Sequence, residues 1–381
     1  MLFSTTLLLI SLSFGAVAGN THSASSMVRH RAHARAQGCT KSNFTRSFTL
    51  TDMYQGEGFL NGWNFFTGAD PTHGNVKYQS KSNAIAKRLA FVQDDGTTVL
   101  AVDDKTTLPV GGKRDSVRIS TKKKYNGGLF IADIFSMPHG CSVWPAYWSV
   151  GPNWPLAGEI DVLEGVHDQP TNQYALHTST GCTLSTGDLK VPSKLLGKQC
   201  ASSGSSNAGC GFLDTDTRTY GKGFNAIGGG VYAHVWDSTG IKVWHFPRTD
   251  IPEDITTKNP DPSTWGTPTA FWSDSSCDMA THFFDHALVI DTTICGDFAG
   301  ATYKSAGCPG TCAQAVADPK NYSRHREVEV ELHRCLSISP RVAAAPASDA
   351  IRCLSLLMIL GHQRDGISPC PAKPATLLRI M

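Results

Sequence analysis

Apolar residues along this chain come in short runs of strand formers separated by turn residues, not in long stripes of helical period. Phe48-Thr49-Leu50, Val76-Lys77-Tyr78, Thr98 to Val102, Val117 to Ser120 and Leu129-Phe130-Ile131 read as strands. Asp94-Asp95-Gly96, Val110-Gly111-Gly112 and Tyr125-Asn126-Gly127-Gly128 read as the turns between them. Strand signals resume at Val231 to Trp236, Ile241 to Phe246 and Ala287 to Ile290, with Asp237-Ser238-Thr239-Gly240 closing the first two into a hairpin. No amphipathic helix of more than two turns stands out, and no internal repeat. The pattern predicts an all-β sandwich or barrel.

Two adjoining stretches break the monotony. Cys141 to Trp154 carries Trp144, Tyr147, Trp148 and Trp154, with Trp144, Ala146 and Trp148 on one strand face. Such a stripe is ordinary core unless something polar faces it. Here it runs into Gly158-Glu159-Ile160-Asp161-Val162-Leu163-Glu164-Gly165, three carboxylates set among strand formers. Glu159 and Asp161 share a face, while Glu164, five positions after Glu159, should point away. A β-bulge at Val162-Leu163 would bring it back.

With that bulge the two glutamates lie roughly 13 Å apart along the backbone, and side chains reaching inward leave roughly 5–6 Å between carboxyls. That is near the ~5–5.5 Å at which a carboxyl pair cleaves glycosidic bonds with retention. Asp161 between them would push their pKa values apart, as an acid and a nucleophile require. The bland alternatives are an acidic edge strand or a calcium site. Beyond the turn His167 to Asn172, Gln173 to Thr178 reads as the return strand and sets His177 opposite about Val162, as a contact for the carboxylates or a sugar hydroxyl. An indole beside carboxylates suits sugar recognition, the ring stacking on the apolar face of a pyranose.

Composition narrows the setting. The 381 residues suffice for a substantial core in one or two domains. A net charge of +2 argues for no nucleic-acid or membrane partner, and 17% charged residues, against roughly 25% in an average protein, suits a surface facing neutral polymers. Residues 1–18 read as a secretory signal: Leu7 to Phe14 is a short apolar run and Ala16-Val17-Ala18 a small-x-small cleavage site. Neither that run nor Ile351 to Leu360 is long enough to span a membrane. Residues 19–38 form a basic arm, expected to be disordered, and ordered structure is expected from Cys39. Twelve cysteines then read as disulfides of an oxidising compartment. Cys308 and Cys312 brace a turn rather than bind metal. Nine cysteines lie from Cys39 to Cys312, so one is free or pairs with the tail. Asn43-Phe44-Thr45 and Asn321-Tyr322-Ser323 are N-glycosylation sequons. No cofactor is expected, and no dedicated metal cluster stands out.

The run GEIDVLEGVHDQ, preceded by GCSVWPAYWSVGPNWPLAGE and followed by ALHTSTGC, resembles fungal laminarinases of glycoside hydrolase family 16. NAGCGF, FNAIGGGVYA, IKVWHFPR, WGTPTAFW, CGDFAG and GCPGTC extend the resemblance in order, over roughly residues 44–321. It implies a β-jelly-roll of two curved antiparallel sheets with a concave cleft. It also implies hydrolysis of β-1,3- or mixed β-1,3/1,4-glucans with retention; the protein is expected to act as a monomer. By position, Glu159 matches the nucleophile, Glu164 the general acid/base, Asp161 the assisting carboxylate and His177 the histidine beside the acid. Trp144, Trp148 and Trp154 match the cleft aromatics, and Trp265 in WGTP is a further candidate. A transglycosylase on the same fold and a non-catalytic glucan-binding module are the competing readings.

After Asn321 the resemblance ends. Fungal relatives close one sheet with an aromatic-rich final strand, and residues 39–322 are read as the catalytic domain. Residues 323–381 form an atypical tail, read as disordered or as the product of a retained intron or frame shift. Val328, Val330 and Leu332 alternate with glutamates and would serve as a substitute edge strand.

Overall fold

The alternation in Val143–Val150 carries through to burial: Val143, Pro145, Tyr147 and Ser149 are buried, while Trp144, Ala146, Trp148 and Val150 are half-buried on the other face. This strand is central in one of two eight-stranded antiparallel sheets. The computed structural model describes residues 47–185, 190–203, 206–322 and 327–339. The signal run, the basic arm, Cys39, Asn43 and residues 340–381 lie outside the described residues.

The cleft sheet runs Lys194–Gly197, Cys210–Leu213, Gln173–His177, Glu159–Glu164, Val143–Val150, Ala287–Ile294, Arg118–Thr121, Trp63–Phe65. The back sheet runs Ala270–Ser273, Gly240–Pro247, Gly230–Asp237, Gly128–Ser136, Glu327–Ser339, Thr98–Ala101, Ala90–Val92, with Ser47–Tyr54 also paired to Glu327–Ser339. Among the described residues no α-helix exceeds six residues and none could cross a membrane. The all-β expectation holds.

The sheets bury their facing sides against each other. Tyr147, Ile160, Leu176 and Ile290 of the cleft sheet share one core with Phe130, Ile134, Tyr232 and Trp236 of the back sheet. A separate apolar layer, including Leu129, Ile131, Val231, Ala233 and Trp244, covers the outer side of the back sheet.

The strand Glu327–Ser339 departs from the sequence reading, which ended the domain at residue 322 and allowed an edge strand at most. It runs through the interior of the back sheet, between Gly128–Ser136 and Thr98–Ala101. Val328 and Val330 enter the inter-sheet core, and the backbone is paired on both sides. An interior place satisfies the ladder groups that an edge would leave to solvent.

Among the described residues four disulfides join Cys141–Cys308, Cys182–Cys277, Cys200–Cys210 and Cys295–Cys312. Cys308 and Cys312 thus brace the chain as expected, but to different partners. The eight paired cysteines leave Cys39 as the odd member of the nine counted in sequence.

Candidate active site

Glu159–Glu164 pairs with Val143–Val150 on one side and Gln173–His177 on the other, and its register slips on both. Against Val143–Val150, Asp161 faces Trp148 and Leu163 faces Tyr147, so Val162 is the extra residue. Against the return strand, Asp161 faces Ala175 and Glu164 faces Gln173, so Val162 and Leu163 together oppose Tyr174. The slip is the bulge expected from the spacing. Val162 and Leu163 both turn into the inter-sheet core, and Glu164 emerges beside Glu159 and Asp161 on the cleft side. Gly158 feeds the strand at φ +79, with the His282 carbonyl 2.5 Å from where a Cβ would sit.

His177 lies directly opposite Glu159, not near Val162. The connection Gly165 to Asn172 is too long for a tight hairpin, so counting across it overshoots. Its Nε2 is 3.3 Å from Asp161 Oδ2, and its Nδ1 is 2.8 Å from Ser202 Oγ, which reaches on to the Cys200 carbonyl. Both ring nitrogens can therefore act as donors, the pattern of an imidazolium. Burial opposes that charge, but the hydrogen bond to Asp161 and the charges of Asp161, Glu159 and Glu164 outweigh it and lift His177 to about 9.

Glu159 and Glu164 are half-buried, and Asp161 between them is buried. Burial, then the neighbouring Asp161 charge, raises Glu159 to about 8, against the pull of His177 and a hydrogen bond from Trp154. Burial raises Asp161 too, while His177 holds it down. Glu159, Asp161 and His177 thus titrate together as one cluster. Glu164 is lifted to about 7 by burial, while His177 and the Trp144 hydrogen bond hold it down. Trp144 Nε1 donates to Glu164 Oε1 at 3.0 Å, and Gln173 Nε2 lies 3.4 Å from Oε2. A carboxyl that holds its proton toward neutrality, on the same strand face as a second carboxyl beside a cation, is equipped for paired acid and nucleophile chemistry.

The tryptophans divide. Trp144 touches the site through its N–H as well as its ring, which meets Phe298 edge-on. Trp148 donates to Asp291 at 2.8 Å and carries the Arg118 guanidinium over its face, 4.9 Å from the ring centroid. Trp154 is 41% exposed at the Glu159 end, an open ring for stacking. Trp265 is not in the cleft. It packs edge-on to Trp244 and Phe246 in the outer layer of the back sheet, and its N–H is taken by Asp254. Strand Gly230–Asp237 shows which side this is: Val231, Ala233 and Val235 join that layer, while Tyr232 and Trp236 face the core between the sheets.

Sequence reasoning missed Asp291, Arg118, Ser202 and Asn172. An acid inside the apolar strand Ala287–Ile294 was a usable signal for Asp291; the others depend on pairing between distant segments. Glu159, Asp161 and His177 each offer one donor atom within 4.8 Å of the others, a set with the chemistry to take a divalent cation.

Comparison with known proteins agrees with this geometry. Residues 63–326 match the model of the XgeA-like catalytic GH16 domain. A probable endo-1,3(4)-beta-glucanase of Aspergillus fumigatus is 45% identical over 267 residues, covering 70% of this chain and 40% of that protein. A probable glycosidase of Schizosaccharomyces pombe is 38% identical over 73% of this chain and 67% of its own length. Among solved structures, laminarinase 16A of Phanerochaete chrysosporium is 37% identical with a TM-score of 0.71, covering 76% of this chain and all of that one; it was solved with 6-O-glucosyl-laminaritriose in donor and acceptor sites. An elongating GH family 16 beta-1,3-glucosyltransferase is 39% identical with a TM-score of 0.72 over the same shares. The chain spans about 40% of the length of the Aspergillus relative it matches.

Proposed function

The chain belongs to glycoside hydrolase family 16, in its XgeA-like group, and from that premise we propose that it is a secreted, monomeric endo-glycosidase. Its substrates would be β-1,3- and mixed β-1,3/1,4-glucans, cleaved with retention. The observation that carries the reading is the bulged strand that sets Glu159, Asp161 and Glu164 on one face beside His177.

Glu159 attacks the anomeric carbon as the leaving oxygen takes the Glu164 proton. Glu159 reacts as its carboxylate, and the His177 cation beside it stabilises that charge. Glu164, now a base, removes a proton from water, whose oxygen displaces Glu159 from the glycosyl-enzyme. Trp154 offers a stacking face at the Glu159 end. Relatives named endo-1,3(4)-beta-glucanase support the substrate class, and four disulfides favour an oxidising, extracellular setting.

Reducing-sugar release from laminarin and from a mixed-linkage glucan, with cellulose as control, tests the reading. Activity on the first two alone is expected; folded protein that binds laminarin without cleaving it would instead indicate a glucan-binding module. The likeness to the elongating glucosyltransferase favours one second reading, transfer to a sugar acceptor instead of water. Products longer than a laminari-oligosaccharide substrate would establish it.

A further inference from the structure

We propose that Asn172 is a positioning residue for the general acid, its carboxamide replacing the strand hydrogen bonds that the bulge takes from Val162 and Glu164. The proposal rests on the reading of Glu164 as the acid.

A bulge that returns Glu164 to the cleft face leaves backbone groups out of phase with the return strand. Between Asp161, which faces Ala175, and Glu164, which faces Gln173, two residues oppose one. Asn172, the residue just before the return strand, fills the gap. Its Nδ2 donates to the Val162 carbonyl at 2.9 Å, and its Oδ1 accepts from the Glu164 N–H at 2.9 Å. One donor and one acceptor on a planar amide reproduce what a peptide group would offer, and the two bonds fix which way the amide faces. Aspartate could not donate to Val162, and alanine would leave both groups bare.

Asn172 is itself immobilised. It is fully buried; its N–H donates to Thr219 Oγ1 at 3.0 Å, and its carbonyl accepts from the Asp214 N–H at 2.9 Å. Behind Gly165, the residue after Glu164, the Tyr220 ring lies so close that a Cβ there would sit 2.5 Å from it. The Glu164 backbone is thus held from both sides, and the side chain leaves it at a set angle toward Trp144. A side chain that never touches the sugar would then determine where the proton is delivered.

The test exploits leaving-group chemistry. An acid out of place hinders departure of a sugar alkoxide and barely matters for a dinitrophenolate, which leaves without protonation. Asn172→Ala and Asn172→Asp are to be compared with the parent on laminarin and on a dinitrophenyl β-laminaribioside, with Glu164→Ala in parallel. For Asn172→Ala, kcat/KM on laminarin should fall about a hundredfold, through kcat rather than KM, the scale of a displaced catalytic group. The loss in kcat/KM on the aryl glycoside, which reports the first step alone, should stay within about threefold, and Asn172→Asp should fall between. Equal losses on both substrates, or none on either, would overturn the role. If Asn172→Ala does not fold, Asn172→Asp carries the same ratio of losses. Should Glu164→Ala itself show no dependence on the leaving group, the assignment of Glu164 is what fails.

Discussion

His177 and His234 are both buried, 8% and 1% exposed, and they behave oppositely. His177 stands among three carboxylates and is lifted to about 9. His234, between the sheets, stacks on Phe130 at 4.6 Å, has neither ring nitrogen hydrogen-bonded, and is driven to about 3 by burial and by His286. Burial penalises the charged form in both places; only the cleft supplies counter-charges that overcome it. The cleft face is a proton-handling device and the core face of the same sandwich excludes protons. That difference can be broken on either side.

The largest effect comes from the cleft. Glu159→Gln removes the nucleophile while keeping its shape, and turnover of laminarin should fall at least about 10⁴-fold with glucan binding retained. Calorimetric titration with a laminari-oligosaccharide separates the two; unchanged turnover would end the proposed chemistry. His177→Gln removes the cation instead. Glu159 loses the charge that holds it down and rises further, and each unit of rise leaves about tenfold less ionised nucleophile. A loss of about 10- to 100-fold in kcat/KM at pH 6 is expected; a loss below about threefold would mean that the imidazolium is irrelevant.

The pH profile sharpens the contrast. Glu164, lifted to about 7, donates its proton only below that pH, so activity should fall as pH rises through about 7. Trp144 donates to the ionised carboxylate and thereby lowers Glu164. Trp144→Phe should therefore move that limb to higher pH, whereas Trp265→Phe, in the outer layer, should leave it in place. An unmoved limb in the first variant would detach Trp144 from the acid.

This division explains how much was legible in the sequence. Strand period and the surplus residue between Glu159 and Glu164 are local, so the all-β class and the bulge could be read from spacing. Trp265 sits in a recognisable run, yet which side of which sheet it covers depends on the segment after Gly240–Pro247 folding outward. Asp291 meets Trp148 because Ala287–Ile294 pairs beside Val143–Val150 across a long stretch of chain. The place of His177 was misjudged because the eight residues from Gly165 to Asn172 form an irregular connection, not a counted turn. The interior strand Glu327–Ser339 escaped because alternation alone does not distinguish an edge from a centre. Local periodicity survives without the fold; contacts made by distant pairing do not.

The smallest effect lies in the core. His234, His245 and His286 are pushed to about 3, about 3 and about 4, mainly by burial, against an ordinary value of 6.5. Their folded values are depressed, so the unfolded chain binds more protons between those values and 6.5. Stability from this source is complete above pH 6.5 and is lost as pH falls toward 3–4. The cleft works the other way: Glu159, Glu164 and His177 have raised folded values and withdraw stability as pH climbs toward 7–9. His234→Phe keeps the stack on Phe130 and removes two unpaired nitrogens from the core. At pH 7 it should stabilise the fold by about 1 kcal/mol, with activity within about twofold of the parent. In denaturant titrations at pH 7 and pH 4.5 the gain should be larger at the acid value, because one of the three groups that must be kept neutral is gone. An equal gain at both pH values would mean that His234 is protonated in the folded core after all.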